Sequence, residues 1–239
     1  SVVIPDGVTD IEESTFQGCR KLHSVKIPDS MTRIGICAFA GCSSLEKIKI
    51  PDHVTEIQTY AFKDCVNLTS IAIPDGVKNL DYGVLENCSG LKELHLPDDI
   101  TFCDVLNGCS DDLLINYRGS DITYKAFALA QEQSDGLEDQ KCLDIAKGAA
   151  DILGKDVYSP VLVSKLCNAE HSGKLEQTTA QIKKDFQTIG FYDIKSGADV
   201  KAKEELTALF QADSKSRGVV PKIIDALTIA STELHIPPE

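Results

Sequence analysis

Apolar positions return every 23 residues through the first half of this chain, marked by Ile/Leu-Pro-Asp tripeptides with prolines at Pro5, Pro28, Pro51, Pro74 and Pro97. Aligned on the proline, Val2, Val25, Ile48, Ile71 and Leu94 lie two residues before Ile4, Ile27, Ile50, Ile73 and Leu96. That spacing is the period of two of a strand with one face in a core. The proline then ends the strand, since it has no N–H to give the ladder. Further columns follow in register. They are Val8, Met31, Val54, Val77 and Ile100, then Ile11, Ile34, Ile57 and Leu80. An aromatic column, Phe16, Phe39 and Phe62, passes to Leu85. Next come cysteines at Cys19, Cys42, Cys65 and Cys88, and leucines at Leu22, Leu45, Leu68 and Leu91. A unit of this size cannot bury its own apolar face. The pattern therefore predicts a solenoid whose stacked coils share one core and present a ridged surface suited to binding.

The last coil is shortened, Cys109 following Cys88 by 21 residues. Leu113, Ile115 and Tyr117 continue the columns and predict a final strand, Leu114 to Tyr117, before Arg118-Gly119-Ser120 breaks the pattern. Ser1 begins inside a strand without an initiator Met. The expectation is a piece of a longer protein, with any signal peptide or earlier repeats out of view.

From Ser120 the apolar period becomes about 3.6 residues, that of a helix. Ile122 to Ala130 is read as a short helix with Ser120 or Asp121 as N-cap. A second helix is expected from about Leu137 to Leu153, with Gly154 as its stop. A third begins near Ser159-Pro160 and carries Val161, Leu162, Leu166 and Cys167. The fourth, Leu175 to Ile189 with Gly190 closing it, spaces Leu175, Thr179, Ile182, Phe186 and Ile189 along one stripe. A fifth is expected over Asp199 to Gln211 and a last over Val220 to Leu234, making a compact bundle. The fold class is thus α+β: residues 1–118 a solenoid, residues 119–239 an all-α domain. The first helix would cap the open solenoid end through Tyr124 and Phe127.

Coils such as Ile27-Pro28-Asp29-Ser30 through Ile34-Gly35, Ala38-Phe39, Gly41-Cys42 and Leu45 resemble the BspA-type leucine-rich repeat. The resemblance covers residues 1 to about 118, and the C-terminal half resembles no recognised family. It implies a curved right-handed solenoid with a short-strand parallel sheet lining one face. It implies members found mainly on bacterial and protozoan cell surfaces, attachment to host or matrix proteins, and no catalysis. Leu85 for the aromatic, Asn87 for the glycine and the trimmed last unit depart from the pattern and mark the approach to a terminus.

Composition narrows the partners. Of 239 residues, 24 are basic and 37 acidic, for a net charge of −13, and both halves are acidic. A nucleic-acid backbone or an anionic membrane would be repelled overall. No stretch approaches the roughly 18 apolar residues of a membrane helix, so direct membrane insertion is not expected. Nine cysteines suggest disulfides, yet Cys19, Cys42, Cys65, Cys88 and Cys109 occupy one column and point the same way, as small buried hydrophobes do. Cys37, Cys103, Cys142 and Cys167 show no pairing logic, and no close cysteine pair offers a metal site. Unpaired thiols fit a reducing cell interior or the outside of an anaerobe, which leaves the compartment open.

Catalytic signatures are missing. No phosphate loop, zinc-protease motif or nucleophile elbow occurs, and no cofactor is expected. Cys167 and His171 would share a helix face, where an imidazole could lower the thiol's pKa. Cys167 also continues the apolar stripe, so a structural cysteine is the preferred reading. The strand face offers a partner-binding surface instead. Ser24, Lys26, Lys47, Lys49, Ser70, Ala72, Glu93, His95, Leu114 and Asn116 stand at outward positions. Lys26, Lys47 and Lys49 would lie on adjacent strands about 5 Å apart, a basic patch able to steer an acidic partner. Lysines that merely protect an exposed sheet are the competing reading. The function expected is non-catalytic protein recognition or adhesion at a cell surface or after secretion. The alternative is a cytoplasmic effector or enzyme whose helical half acts while the repeats select its partner, and a third reading is a spacer.

Overall fold

Each 23-residue repeat closes into a coil with two short strands, one more than the alternation around Ile-Pro-Asp indicates. The computed structural model describes residues 1–102, 104–133, 137–153 and 160–188. The early strands are β1 (Val2–Val3), β2 (Asp10–Ile11), β3 (Ser24–Lys26), β4 (Arg33–Ile34), β5 (Lys47–Ile48) and β6 (Glu56–Ile57). Then come β7 (Ser70–Ala72), β8 (Asn79–Leu80), β9 (Glu93–His95), β10 (Thr101–Phe102), β11 (Leu114–Tyr117) and β12 (Ser120–Thr123). The odd-numbered strands stack in parallel from β1 to β11, and β12 adds antiparallel beside β11 to complete seven. The five even-numbered strands to β10 form a second parallel sheet on another side of the coil.

The remaining side has no strand but is still laddered. Phe16 N donates to Ala38 O at 2.8 Å, Phe39 N to Ala61 O at 2.8 Å and Phe62 N to Val84 O at 2.9 Å. Two columns of left-handed residues turn the corners of this side. One is Ser14, Cys37, Tyr60, Gly83 and Asp104, with φ from 51° to 65°; the other is Gly18, Gly41, Asp64, Asn87 and Gly108, with φ from 57° to 75°. Asp and Asn enter the second column because their short polar side chains tolerate this region. Asn87 Nδ2 further donates to Asp64 Oδ1 at 2.9 Å, tying one such corner to the next.

The core follows the predicted columns. Met31, Ile34, Phe39, Cys42, Leu45, Val54, Phe62, Cys65, Leu68, Val77, Leu85, Cys88 and Leu91 have no exposed surface. Phe16, Phe39 and Phe62 stack face to face, with centroids 5.2 and 5.4 Å apart and rings within 10° and 1° of parallel. No disulfide joins the cysteine file. From the second coil onward each thiol of the file instead donates to a carbonyl of the preceding coil: Cys42 to Phe16 at 3.1 Å, Cys65 to Phe39 at 3.3 Å, Cys88 to Phe62 at 3.2 Å and Cys109 to Leu85 at 3.4 Å. Coil-to-coil approach is close enough to require glycine at Gly35, where an added Cβ would stand 2.7 Å from the Ile11 carbonyl oxygen.

The first helix is displaced from its expected place. Ile122 to Ala130 does not form one continuous helix, because Ser120–Thr123 pairs with Leu114–Tyr117 as a hairpin. Arg118 and Gly119, both left-handed at φ 48° and 74°, make the two-residue turn whose twist suits flanking strands. Helix α1 is Tyr124–Gln133, and its cap is Thr123, whose Oγ1 accepts from Ala126 N at 3.3 Å, rather than Ser120 or Asp121. Ile122, read as helical, is a strand residue with no exposed surface.

The remaining helices are α2 (Asp139–Leu153), α3 (Pro160–His171) and α4 (Leu175–Thr188). Gly154, Ser159, Ile189, Gly190, Cys103 and the expected fifth and sixth helices lie outside the described residues. The chain divides into two compact units, Ser1–Lys147 and Gly148–Glu239. In the first, Phe127 of α1 meets Phe102 of the last coil, centroids 5.9 Å apart, and Tyr124 Oη donates to Leu106 O at 3.2 Å. Asp139 at the start of α2 accepts from Asp104 N at 3.1 Å and Gln131 Nε2 at 2.7 Å. In the second, α3 packs on α4, with Leu162, Val163, Leu166, Cys167 and Ile182 buried.

Candidate functional site

The outward face of the seven-stranded sheet is two rows of side chains set by strand register. One row runs Ser24, Lys47, Ser70, Glu93 and Leu114, each paired with the next across adjacent parallel strands. It ends at Thr123, opposite Leu114 on β12. The other begins with Val3 opposite Lys26 and continues through Ala72, His95, Asn116 and Asp121. Lys49 falls in this second row, one residue beyond β5, because Val25 pairs with Ile48. Adjacent strands sit about 4.8 Å apart, so Lys26, Lys47 and Lys49 occupy neighbouring positions on this face.

Ser24, Lys26, Lys47, Lys49, Glu93 and His95 are exposed, and Ser70 and Asn116 are half-buried. Asn116 is already engaged, its Nδ2 donating to Asp121 Oδ1 at 2.9 Å. The face is therefore polarised. Cations gather on the second and third coils beside Val3, 67% exposed. Small neutral Ser70 and Ala72 follow, and Glu93 and Asp121 lie toward the hairpin. The arrangement can orient a bound chain by charge, and it brings together no nucleophile, base and oxyanion donors.

Sequence reasoning missed the corner beside the second sheet. There Tyr60 and Tyr82, from successive coils, meet edge to face at 5.5 Å and 81°. Lys63 Nζ lies 4.6 Å over the Tyr60 ring and 2.7 Å from Glu86 Oε1. Tyr82 is 47% exposed and Ile36 39%. The available signal was a tyrosine in each of two adjacent columns, Tyr60 where other coils carry Ser14, Cys37 or Gly83 and Tyr82 where they carry Glu13, Ile36 or Thr59, but nothing in the repeat marks either column as a surface.

Cys167 and His171 lie on one face of α3. His171 Nδ1 is 2.8 Å from the Cys167 carbonyl oxygen, so that nitrogen carries a proton and donates to the backbone. The Cys167 side chain is buried. Among the described residues no group of three or more His, Cys, Asp or Glu is placed to hold a metal ion. No described helix is long and apolar enough to cross a membrane.

Six copies of the family described as BspA type Leucine rich repeat region match residues 1–106. This part of the chain is a BspA-type leucine-rich repeat region. Solved structures similar to it are bacterial. A leucine rich cell surface protein from Faecalibacterium prausnitzii A2-165 is 35% identical over 49% of this chain and 32% of its own, with a TM-score of 0.47. The T. pallidum Leucine Rich Repeat protein is 31% identical over 47% of this chain and 56% of its own, with a TM-score of 0.45. A leucine-rich repeat protein from Bacteroides ovatus ATCC 8483 is 29% identical over 47% and 36%, with a TM-score of 0.39. The chain thus spans about a third to a half of the length of these structures. Among curated proteins none is similar to it.

Proposed function

We propose that the chain is a non-catalytic protein-recognition module that binds its partner on the seven-stranded face, as an adhesion element at a cell surface. The observation that carries this reading is the register of that face, which puts Lys26, Lys47 and Lys49 at neighbouring positions on a chain of net charge −13. An acidic segment of a partner protein would be repelled elsewhere and drawn there. Ser24, Ser70 and His95 supply hydrogen-bonding groups along the same two rows, Asn116 offers its remaining amide oxygen beside its bond to Asp121, and Glu93 sets the polarity of binding. Hairpin strand β12, helix α1 and the start of α2 serve as the C-terminal cap that a solenoid requires.

The test uses a fluorescein-labelled peptide of alternating glycine and glutamate, titrated with the full chain by fluorescence anisotropy. Binding that weakens with salt and disappears when Lys26, Lys47 and Lys49 are changed to Glu supports the reading. Equal binding by that triple variant refutes it. Protease accessibility of the chain on intact cells tests the surface location.

A further inference from the structure

A second surface, opposite in sign to the strand face, is built at the Tyr60–Tyr82 corner. Gly83 provides its floor: a methyl group there would overlap the Tyr60 ring, so only glycine lets that ring lie across the backbone of the next coil. Tyr60 is held from above by Lys63 and from the side by the edge-to-face contact with Tyr82. Tyr82 itself remains 47% exposed. No lysine or arginine among the described residues is placed over its ring; the cation–ring contacts there are Lys63 on Tyr60 and Arg118 on Tyr117.

The surroundings are anionic. Lys63 is balanced by Glu86, while Asp64 and Asp81 belong to the same two coils and Asp104 to the corner of the coil after them. Tyr60 first, and Glu86 after it, hold the Tyr82 phenol above its ordinary pKa, with burial and Asp104 adding. Glu86 Oε2 stands 3.1 Å from the place a Cβ on Gly83 would take, next in the chain to Tyr82. The Lys63–Tyr60–Glu86 group is, within this chain, an ammonium ion seated on a tyrosine face and paired with a carboxylate.

We infer that Tyr82, with Glu86 beside it on the platform made by Tyr60 and Gly83, is a docking site for an arginine or lysine side chain of a basic partner segment. The aromatic face attracts a cation through its quadrupole, and the neighbouring carboxylates add charge complementarity. Arginine fits better than lysine, since a planar guanidinium can stack on the ring and donate to carboxylates together. Tyrosine and arginine are also the residue types that most often dominate interface energies.

The experiment titrates a fluorescein-labelled peptide of alternating glycine and arginine with the full chain at physiological ionic strength, which suppresses binding to diffuse negative charge. Tyr82→Phe keeps the ring and should bind as the parent does, whereas Tyr82→Ala should bind about fivefold to thirtyfold more weakly. Glu86→Gln should also weaken binding, giving a second readout if the alanine variant folds poorly by circular dichroism. Changing Lys26, Lys47 and Lys49 to Glu should not weaken binding, so failure here and failure of the strand-face reading are distinguishable. Wild-type affinity in Tyr82→Ala or in Glu86→Gln would overturn the assignment. So would sedimentation showing that the occupant is a second copy, its association lost in both Tyr82→Ala and the lysine triple variant.

Discussion

Replacing Phe39 by alanine tests whether the coils share one continuous interior. Phe39 has no exposed surface and lies between Phe16 and Phe62 at 5.2 and 5.4 Å, so removing its ring empties a slot closed on both sides. A buried Phe→Ala change costs about 3–5 kcal/mol when the site cannot collapse. Each aromatic pair adds about 0.5–1.5 kcal/mol beyond area burial, and Phe39 loses two. Phe16→Ala removes a half-buried ring with one stacked neighbour and should cost about half as much or less. Phe39→Leu copies what Leu85 does in the same column with no exposure and should cost about 1–2 kcal/mol. Urea titrations followed by far-UV circular dichroism would rank the three variants. Equal losses for Phe39→Ala and Phe16→Ala, or a loss below about 1 kcal/mol for Phe39→Ala, would refute the shared-core reasoning.

Three further outcomes follow from the same packing. Burial pushes Cys42 up to about 11 and Cys65 and Cys109 up to about 12, from an ordinary 9.0. The folded chain therefore keeps protons that an unfolded chain loses. Stability should hold below pH 9.0 and fall as pH rises from there toward about 12, by about 1.4 kcal/mol per pH unit for each thiol in that window; a midpoint in urea unchanged between pH 8 and pH 10 would count against it. Gly35→Ala drives a Cβ to within 2.7 Å of the Ile11 carbonyl and 2.9 Å of Glu12 and Glu13 backbone atoms. It should cost about 1–3 kcal/mol in thermal unfolding, and a stabilised variant would contradict the coil spacing. Cys19 is exposed while Cys42, Cys65 and Cys88 are buried, so iodoacetamide at neutral pH should modify Cys19 well before those three, as peptide mass spectrometry would show; simultaneous labelling would refute the stacked file.

The repeat was legible because each column is a repeated choice of the same kind of side chain, and stacking converts that choice directly into burial. Phe39, Cys65 and Leu68 are in the core for the reason that the spacing implies. The second sheet was not legible. Pairs such as Arg33–Ile34 and Glu56–Ile57 are only two residues long, too short for alternation to be read, and they exist because a neighbouring coil supplies the hydrogen bonds. The hairpin was missed for a related reason. Arg118-Gly119 at positive φ is a strong turn, but Ile122 and the apolar residues after it fit a helical stripe equally well, and the open edge of β11 decides between strand and helix. The strand-face rows could be written from the alternation alone, whereas the Tyr60–Tyr82 corner depends on a backbone conformation that leaves no mark in hydrophobic spacing.

That conformation also explains why chemistry collects at the corner. Cys37 and Tyr60 occupy left-handed backbone at φ 53° and 59°, where a residue with a Cβ costs about 1–2 kcal/mol relative to the right-handed region. The cost is tolerated because neighbouring coils over-determine each corner: Cys37 N donates to Thr59 O at 3.0 Å and Tyr60 N to Tyr82 O at 3.1 Å. A column that would be cheapest as glycine or asparagine thus carries a large aromatic in one coil and a glycine in the next, and the ring lies over that glycine. If support for a coil alone governed the choice, Gly83 would be expected in every copy and Tyr60 in none. The left-handed corner itself recurs at Ser14, Cys37 and Asp104, so the backbone is the coil's general device and the side chain placed on it is what varies; at Tyr60 that side chain is the ring that Tyr82 leans against.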